Sequence, residues 1–433
     1  MVVKRSIDDV LLNWKDDLDR KPLILRGARQ VGKTYSVKAF GSSQFQETLT
    51  VDFERLPQLR SLFEPDLDVH RIVEMLELEF KTSVAPGKTL LFFDEVQHCP
   101  RALATLRYFF EDLPQLHVVA AGSMLEFQMG KISFPVGRVE STFMYPLTFE
   151  EFLLNTGNEK LNEYRPCLDA AEPVPEFAHH KLMEEMKRFF VVGGMPEAVA
   201  KYRRDQSLRN VEKAHKSLYD SYVQDLLKYE KNLGFDAITA ILDAIPRQVG
   251  SQIKYSLLCE GRSVYKVKTS LHALEKALLV HPVRSSNAGG LPLGGEINRS
   301  VIKAVFLDIG LLQYIRGIPA ISVLSAENLL DAYHGALCEQ FVGQELVAAG
   351  GSQNGALYYW SRAAKNSSAE VDYLRVKNGI IFPIEIKKGP TGRLRSLHLL
   401  LKGHQNIPYG YVLNTGNVGT VGRIHFRPLY TLF

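Results

Sequence analysis

Gly27-Ala28-Arg29-Gln30-Val31-Gly32-Lys33-Thr34 places two glycines, a lysine and a hydroxyl at the spacing that cradles a phosphate chain. Gly27 and Gly32 let the backbone turn successive N–H groups toward phosphate oxygens. Lys33 brings charge to the β- and γ-phosphates, Thr34 offers a hydroxyl to Mg²⁺, and the start of the following helix adds partial positive charge. The loop follows an apolar run, Leu23-Ile24-Leu25, and opens into a segment that can continue as helix. It implies binding of a nucleoside triphosphate.

Hydrolysis needs a carboxylate pair at the end of a neighbouring buried strand. Leu90-Leu91-Phe92-Phe93 followed by Asp94-Glu95 provides it. Asp94 is expected to hold Mg²⁺ and Glu95 to polarise the attacking water as general base. A second apolar run, Leu116 to Ala121, ends in Gly122-Ser123, and Ser123 is either a γ-phosphate sensor or part of an ordinary strand-to-turn junction. Arg138 follows that strand. It is an arginine finger acting in cis, one acting on a neighbouring subunit, or a plain surface residue.

A second constellation lies near the C-terminus. Asn378-Gly379 separates two runs with hairpin patterning, and a two-residue loop there sets Asp372 across from Glu385 and Glu370 across from Lys387. The two-residue period places all four side chains on one face. Facing carboxylates repel, so a divalent cation is the expected compensation, with Lys387 stabilising charge or orienting a water. Glu339 shares the apolar face of an upstream helix with Val342 and Leu346, where a carboxylate needs a partner. The competing reading is an exposed hairpin with a Glu370–Lys387 pair. Tyr358, Tyr359, Trp360 and Tyr373 are expected to fill the sheet core rather than stack on bases.

Elements that must position these groups follow from the patterning. Prolines 166, 173 and 175 mark a boundary, and amphipathic helices run from His179 to about Gly234 with a break at Gly193-Gly194. Phe235–Ile245 and Tyr265–Leu279 read as helices, Val280–Arg284 as a strand, and Ser285–Gly290 as a flexible tip. That is the order of a winged helix, which either sets Lys266 and Lys268 against phosphates or serves as a protein-interaction or structural module.

At 433 residues, with 45% hydrophobic and 23% charged residues, the chain is ordinary globular protein with room for several cores. The net charge of +4 neither demands nor excludes nucleic acid. Single cysteines at 99, 167, 259 and 338 give no zinc or disulfide pattern, and no apolar run reaches membrane-spanning length. A cytoplasmic protein without membrane contact is expected.

The ordered set Gly27–Thr34, Leu91 to Gln97, Ala121-Gly122-Ser123, Gly137-Arg138 and Tyr145 to Phe152 resembles a prokaryotic AAA-type (AAA+) P-loop ATPase family whose members carry a C-terminal domain of unknown function. The resemblance extends through Gly193 to Pro196 and Leu307 to Leu312. It implies an α/β fold with a RecA-like αβα core (residues 1–155), a helical segment or lid (156–234), a winged helix (235–320) and a smaller nuclease-like α/β domain (321–433). It also implies ATP and Mg²⁺ as cofactors, Lys33 and Thr34 at the phosphates and metal, Asp94 and Glu95 as the acid pair, Ser123 as sensor and Arg138 as finger. Separately, D-x₁₂-E-x-K over Asp372, Glu385 and Lys387 resembles the metal-binding hairpin of restriction-endonuclease-like (PD-(D/E)XK) nucleases, in which Glu339 completes the site. The expected function is ATP binding and hydrolysis coupled to motion of the helical and winged-helix parts, with DNA considered as what the winged helix and the nuclease-like domain act on. The alternative is a nucleotide-switched protein-interaction module with an inactive nuclease-like tail. ATP, DNA, a second copy of the chain and a protein are the partners considered.

Overall fold

The computed structural model describes residues 3–64, 66–129, 137–229, 235–255, 258, 263–325, 334–350, 356–362, 369–387 and 394–433. The residues divide into two compact units, Met1–Tyr145 with Lys276–Leu278, and Pro146–Glu275 with Leu279–Phe433. Cys259 and the expected boundary at 234 lie outside the described residues. Among the described residues no helix is long and apolar enough to cross a membrane.

The first unit is built on five parallel strands, β1 (Leu23–Arg26), β2 (Glu47–Asp52), β3 (Thr89–Asp94), β4 (His117–Ala121) and β5 (Glu140–Phe143), in the order β2-β3-β4-β1-β5. Both β3 and β4 are buried along their whole length, as expected of central strands covered on two faces. Phe53, Phe63, Phe93 and Phe109 pack ring to ring in the core on one side, with centroids 5.4–5.8 Å apart. Because every strand runs the same way, the ends that carry Gly27, Asp94 and Gly122 lie along one edge of the sheet.

The second unit opens with helices and ends in a mixed sheet. The helix Phe149–Asn155, placed by the sequence within the first domain, packs here: Phe152 lies against Phe189 at 5.3 Å and Phe149 against Phe341 at 6.1 Å. The division therefore falls before Pro146 rather than after residue 155. The helix Glu176–Val192 stops at Gly193-Gly194, where Gly193 has φ +71° and an added Cβ would meet Asp308 Oδ1 at 2.2 Å. Gly194 N–H donates to Asp308 Oδ2 at 2.6 Å, which explains the break. The helices Pro196–Asp205, Leu208–Tyr229, Phe235–Gln248 and Val264–Lys276 follow.

Strands β6 (Val280–Ser286) and β7 (Ile297–Phe306) form the antiparallel pair that the sequence assigned to a wing. They do not close a separate small module. β6 also pairs in parallel with β8 (Leu357–Ser361), so both strands edge an eight-stranded sheet, β12-β13-β11-β10-β9-β8-β6-β7. The remaining strands are β9 (Glu370–Lys377), β10 (Ile380–Ile386), β11 (Gly410–Asn414), β12 (Gly419–Val421) and β13 (Ile424–Pro428). The boundary drawn at residue 320 thus falls inside one sheet. The expected flexible tip is shorter than read, because β6 continues through Ser286 and Ser286 Oγ donates to Leu293 O at 3.0 Å. Tyr359, Trp360 and Tyr373 are buried in this unit.

Candidate nucleotide site and carboxylate cluster

Residues 27–34 wrap the C-terminal end of β1 and lead into the helix Lys33–Gln44. Gly27 at φ +150° would bring a Cβ 2.3 Å from Met144 O, and Gly32 at φ +102° precedes the helix, so neither position accepts a side chain without strain. Arg5 supports the loop from beneath, its guanidinium donating to Val31 O at 3.1 Å and Tyr145 O at 2.7 Å. No local pattern marked Arg5, because its partners lie 26 and 140 residues away. Lys33 Nζ donates to Gly27 O (2.9 Å) and Ala28 O (2.8 Å), and burial lowers its pKa to about 8 against the raising influence of Glu95, Glu126 and Asp94.

Thr34 Oγ1 donates to Asp94 Oδ1 at 3.0 Å. Burial pushes the Asp94 carboxyl up to about 6, with Glu95 adding to the rise and the Thr34 bond opposing it. A hydroxyl and a carboxylate meeting at the phosphate end of the loop are the donor set that suits Mg²⁺ held jointly with phosphate oxygens, so the residues fit the ion. Glu95 sits at φ +47° directly after β3, and Gln97 Nε2 donates to its carboxylate. Glu54 and His98 bring ligating atoms within 4.8 Å of that carboxylate.

Ser123 is 2% exposed and lies just beyond β4, the strand between β3 and β1. Before it, Gly122 faces Gln97: an added Cβ would stand 2.3 Å from Gln97 Oε1. After it, Glu126 accepts from Arg26 Nη2 at 2.7 Å, tying the segment to the last residue of β1. Arg138 is elsewhere. It precedes β5, at the edge of the parallel sheet opposite the loop, where its guanidinium pairs with Glu111 at 3.0 Å. A finger role in cis is excluded by that polarity.

In the second unit the hairpin register is the one the Asn-Gly turn dictates, from Lys377–Ile380 to Tyr373–Ile384, and its next step is Asp372–Glu385. There the strands part, because Asp372 Oδ2 takes the Ile386 N–H at 2.8 Å. Lys387 pairs with Glu385, at 2.5 Å, and Glu370 with Lys303, so the Glu370–Lys387 pair of the competing reading is replaced. Glu370 instead binds Lys303 Nζ at 2.6 Å and Gln252 Nε2 at 3.1 Å. Glu339 reaches the same ammonium at 2.6 Å from the helix His334–Ala349, which Tyr373 Oη anchors by donating to Glu339 O at 2.8 Å. Burial raises the Asp372, Glu339 and Glu385 carboxyls above their usual range, with mutual repulsion adding to the rise. Glu385 is 3% exposed and its Oε2 has no hydrogen-bond partner. Lys303 and Gln252 lay beyond sequence reasoning; both are remote in the chain and carry no motif.

Residues 19–153 match the family model described as AAA domain, 183–322 a domain of unknown function (DUF8612), and 334–429 a domain of unknown function (DUF4143). No curated protein matches the chain. Among solved structures, the Aeropyrum pernix Orc1 protein in complex with DNA is similar at 12% identity, covering 73% of this chain and 92% of that one with a TM-score of 0.27. The Thermotoga maritima RuvB Holliday junction branch migration motor is similar at 13% identity, covering 69% and 93% with a TM-score of 0.31. At those TM-scores neither likeness transfers function or fold detail. The chain carries an AAA domain with a nucleotide-binding P-loop.

Proposed function

We propose that this chain hydrolyses ATP with the first unit and that nucleotide state governs what the second unit does. The observation that carries the reading is the 3.0 Å contact between Thr34 and Asp94, with Glu95 next along the chain and held by Gln97. Thr34 and Asp94 would hold Mg²⁺, which when bound neutralises phosphate charge. Lys33 leaves the Gly27 and Ala28 carbonyls for the β- and γ-phosphates. The loop N–H groups fix the phosphate chain, Glu95 takes the proton of the attacking water, and Ser123 reports the γ-phosphate. Arg138 serves the site of a neighbouring copy, since its own site lies across the sheet. Lys33→Ala should abolish nucleotide binding, and Glu95→Gln should bind ATP but not turn it over; undiminished turnover in either variant refutes the assignment.

A second reading concerns the carboxylate cluster. The orphaned Glu385 Oε2 beside Asp372 supports a divalent ion and metal-dependent phosphodiester hydrolysis of DNA there. Lys266 and Lys268, exposed on the helix Val264–Lys276 beside Tyr265 at 77% exposure, supply phosphate contacts for the same partner. Stimulation of ATP turnover by DNA would join the two units in one task, and indifference to DNA would favour the nucleotide-switched protein-interaction alternative.

A further inference from the structure

Lys303 is 2% exposed, yet its ammonium is surrounded by acids: Glu339 Oε1 at 2.6 Å, Glu370 Oε1 at 2.6 Å and Asp372 Oδ1 at 3.7 Å. The acids come from the helix His334–Ala349 and from β9, and the lysine from β7, three strands away across the sheet. The outer oxygens are committed too. Gln252 holds Glu370 Oε2 at 3.1 Å, and Ile386 N–H holds Asp372 Oδ2 at 2.8 Å. The Tyr359 ring closes one side, 5.4 Å from the ammonium. Three N–H donors of one ammonium thus face three carboxylates, an arrangement with the ligand chemistry of a small hard cation.

We propose that the Lys303 ammonium is a resident cation, standing where Glu339, Glu370 and Asp372 would otherwise bind a divalent metal ion, so that this half of the cluster is assembled without one. Removing the lysine's charge while keeping its length converts this half into a metal site. Glu385 is outside the lysine's ion pairs and is paired only through Oε1 with Lys387. Metal-dependent hydrolysis, if it occurs, uses that other end. In sites with two ions the metals stand about 3.5–4 Å apart across shared carboxylates. Lys303 takes the place of one of them and shares Asp372. Burial disfavours the charged lysine, but the surrounding acids outweigh it and raise its pKa above the ordinary value.

The test counts bound Mn²⁺ on the nucleotide-free full chain by the electron paramagnetic resonance signal of the free ion. Lys303→Met should bind one Mn²⁺ per chain more than the parent protein. The triple variant Lys303→Met, Glu339→Gln, Glu370→Gln should return to the parent count. A folded Lys303→Met chain with the parent count overturns the proposal. Should Lys303→Met lose its cooperative melting transition in metal-free buffer, millimolar Mn²⁺ must restore it, and failure to do so also overturns the proposal. The phosphodiester reading is judged separately by the parent count itself, where one ion lost on Glu385→Gln supports it and none refutes it.

Discussion

Gln97 donates its side-chain amide to the Glu95 carboxylate, while its Oε1, buried and without a partner, fills the space that a side chain at position 122 would need. Glu95, the proposed general base, is thereby linked through one amide to the loop that carries Ser123. Gln97→Ala should free the carboxylate to rotate and lower kcat by about 10–100-fold, a part of what a positioned base contributes. Gly122→Ala, by pushing the amide aside, should do the same. ATP affinity should stay near parent values in both, measured by isothermal titration beside steady-state turnover. A fall in affinity matching the fall in kcat would point to a damaged pocket instead.

His215 gives the second unit a pH dependence of definite sign. It is buried, with Nε2 3.0 Å from Val192 O at the end of the helix before Gly193, and burial lowers its pKa to about 4. The unfolded chain takes up its proton first as pH falls through about 6.5, so the stability that this residue contributes at neutral pH is lost between about 6.5 and 4. The loss from one such histidine is up to ~3 kcal/mol. His281, whose pKa burial also lowers to about 4, acts in the same direction. Denaturation of His215→Gln should show a shallower fall from pH 7 to 4.5 than the parent, by up to about 1.4 kcal/mol per pH unit. Parallel profiles would refute the assignment.

What could be read in the sequence was whatever is set locally. The loop at 27–34, the acid pair after β3 and the register of the Asn378-Gly379 hairpin each depend on neighbours a few residues away, and the structure has them in place. Lys303 was illegible because its acids lie 36–69 residues further along the chain, on an unrelated helix and strand. The pairing of β6 with β8 was illegible for the same reason: a hairpin's own sequence does not say whether its outer edge stays free. Arg138 shows the converse error. Its place after a strand was read correctly, but only the polarity of the assembled sheet revealed which edge it occupies.

For the carboxylate cluster, Asp372→Asn should eliminate any Mn²⁺-supported cleavage of DNA, and Glu385→Gln should do likewise, each lowering the rate by at least about 100-fold. Single- and double-stranded substrates and RNA should all be tried, because the proposed reaction is at a phosphodiester and selects no base. Glu370→Gln should leave more activity than either, since Glu370 is already bound by Lys303 and Gln252. Cleavage that survives Asp372→Asn unchanged on every substrate would locate the activity elsewhere.

Arg138 can reach a γ-phosphate only if a second copy presents its loop to that edge of the sheet. Arg138→Ala should then retain ATP binding and lose turnover, by about 10³-fold if it serves as a finger of the strength seen in other NTPases. Its Glu111 pair is half exposed and contributes little to stability, so the variant should melt within about 1 kcal/mol of the parent. Mixing decides between loss of a finger and loss of something structural. Arg138→Ala supplies an intact Glu95, and Glu95→Gln supplies an intact Arg138, so a mixed assembly contains some sites with both groups. Turnover by the mixture above the sum of the separate proteins is the expected result. Silence in the mixture, with both variants folded and assembled, would mean that Arg138 does not act across a subunit boundary.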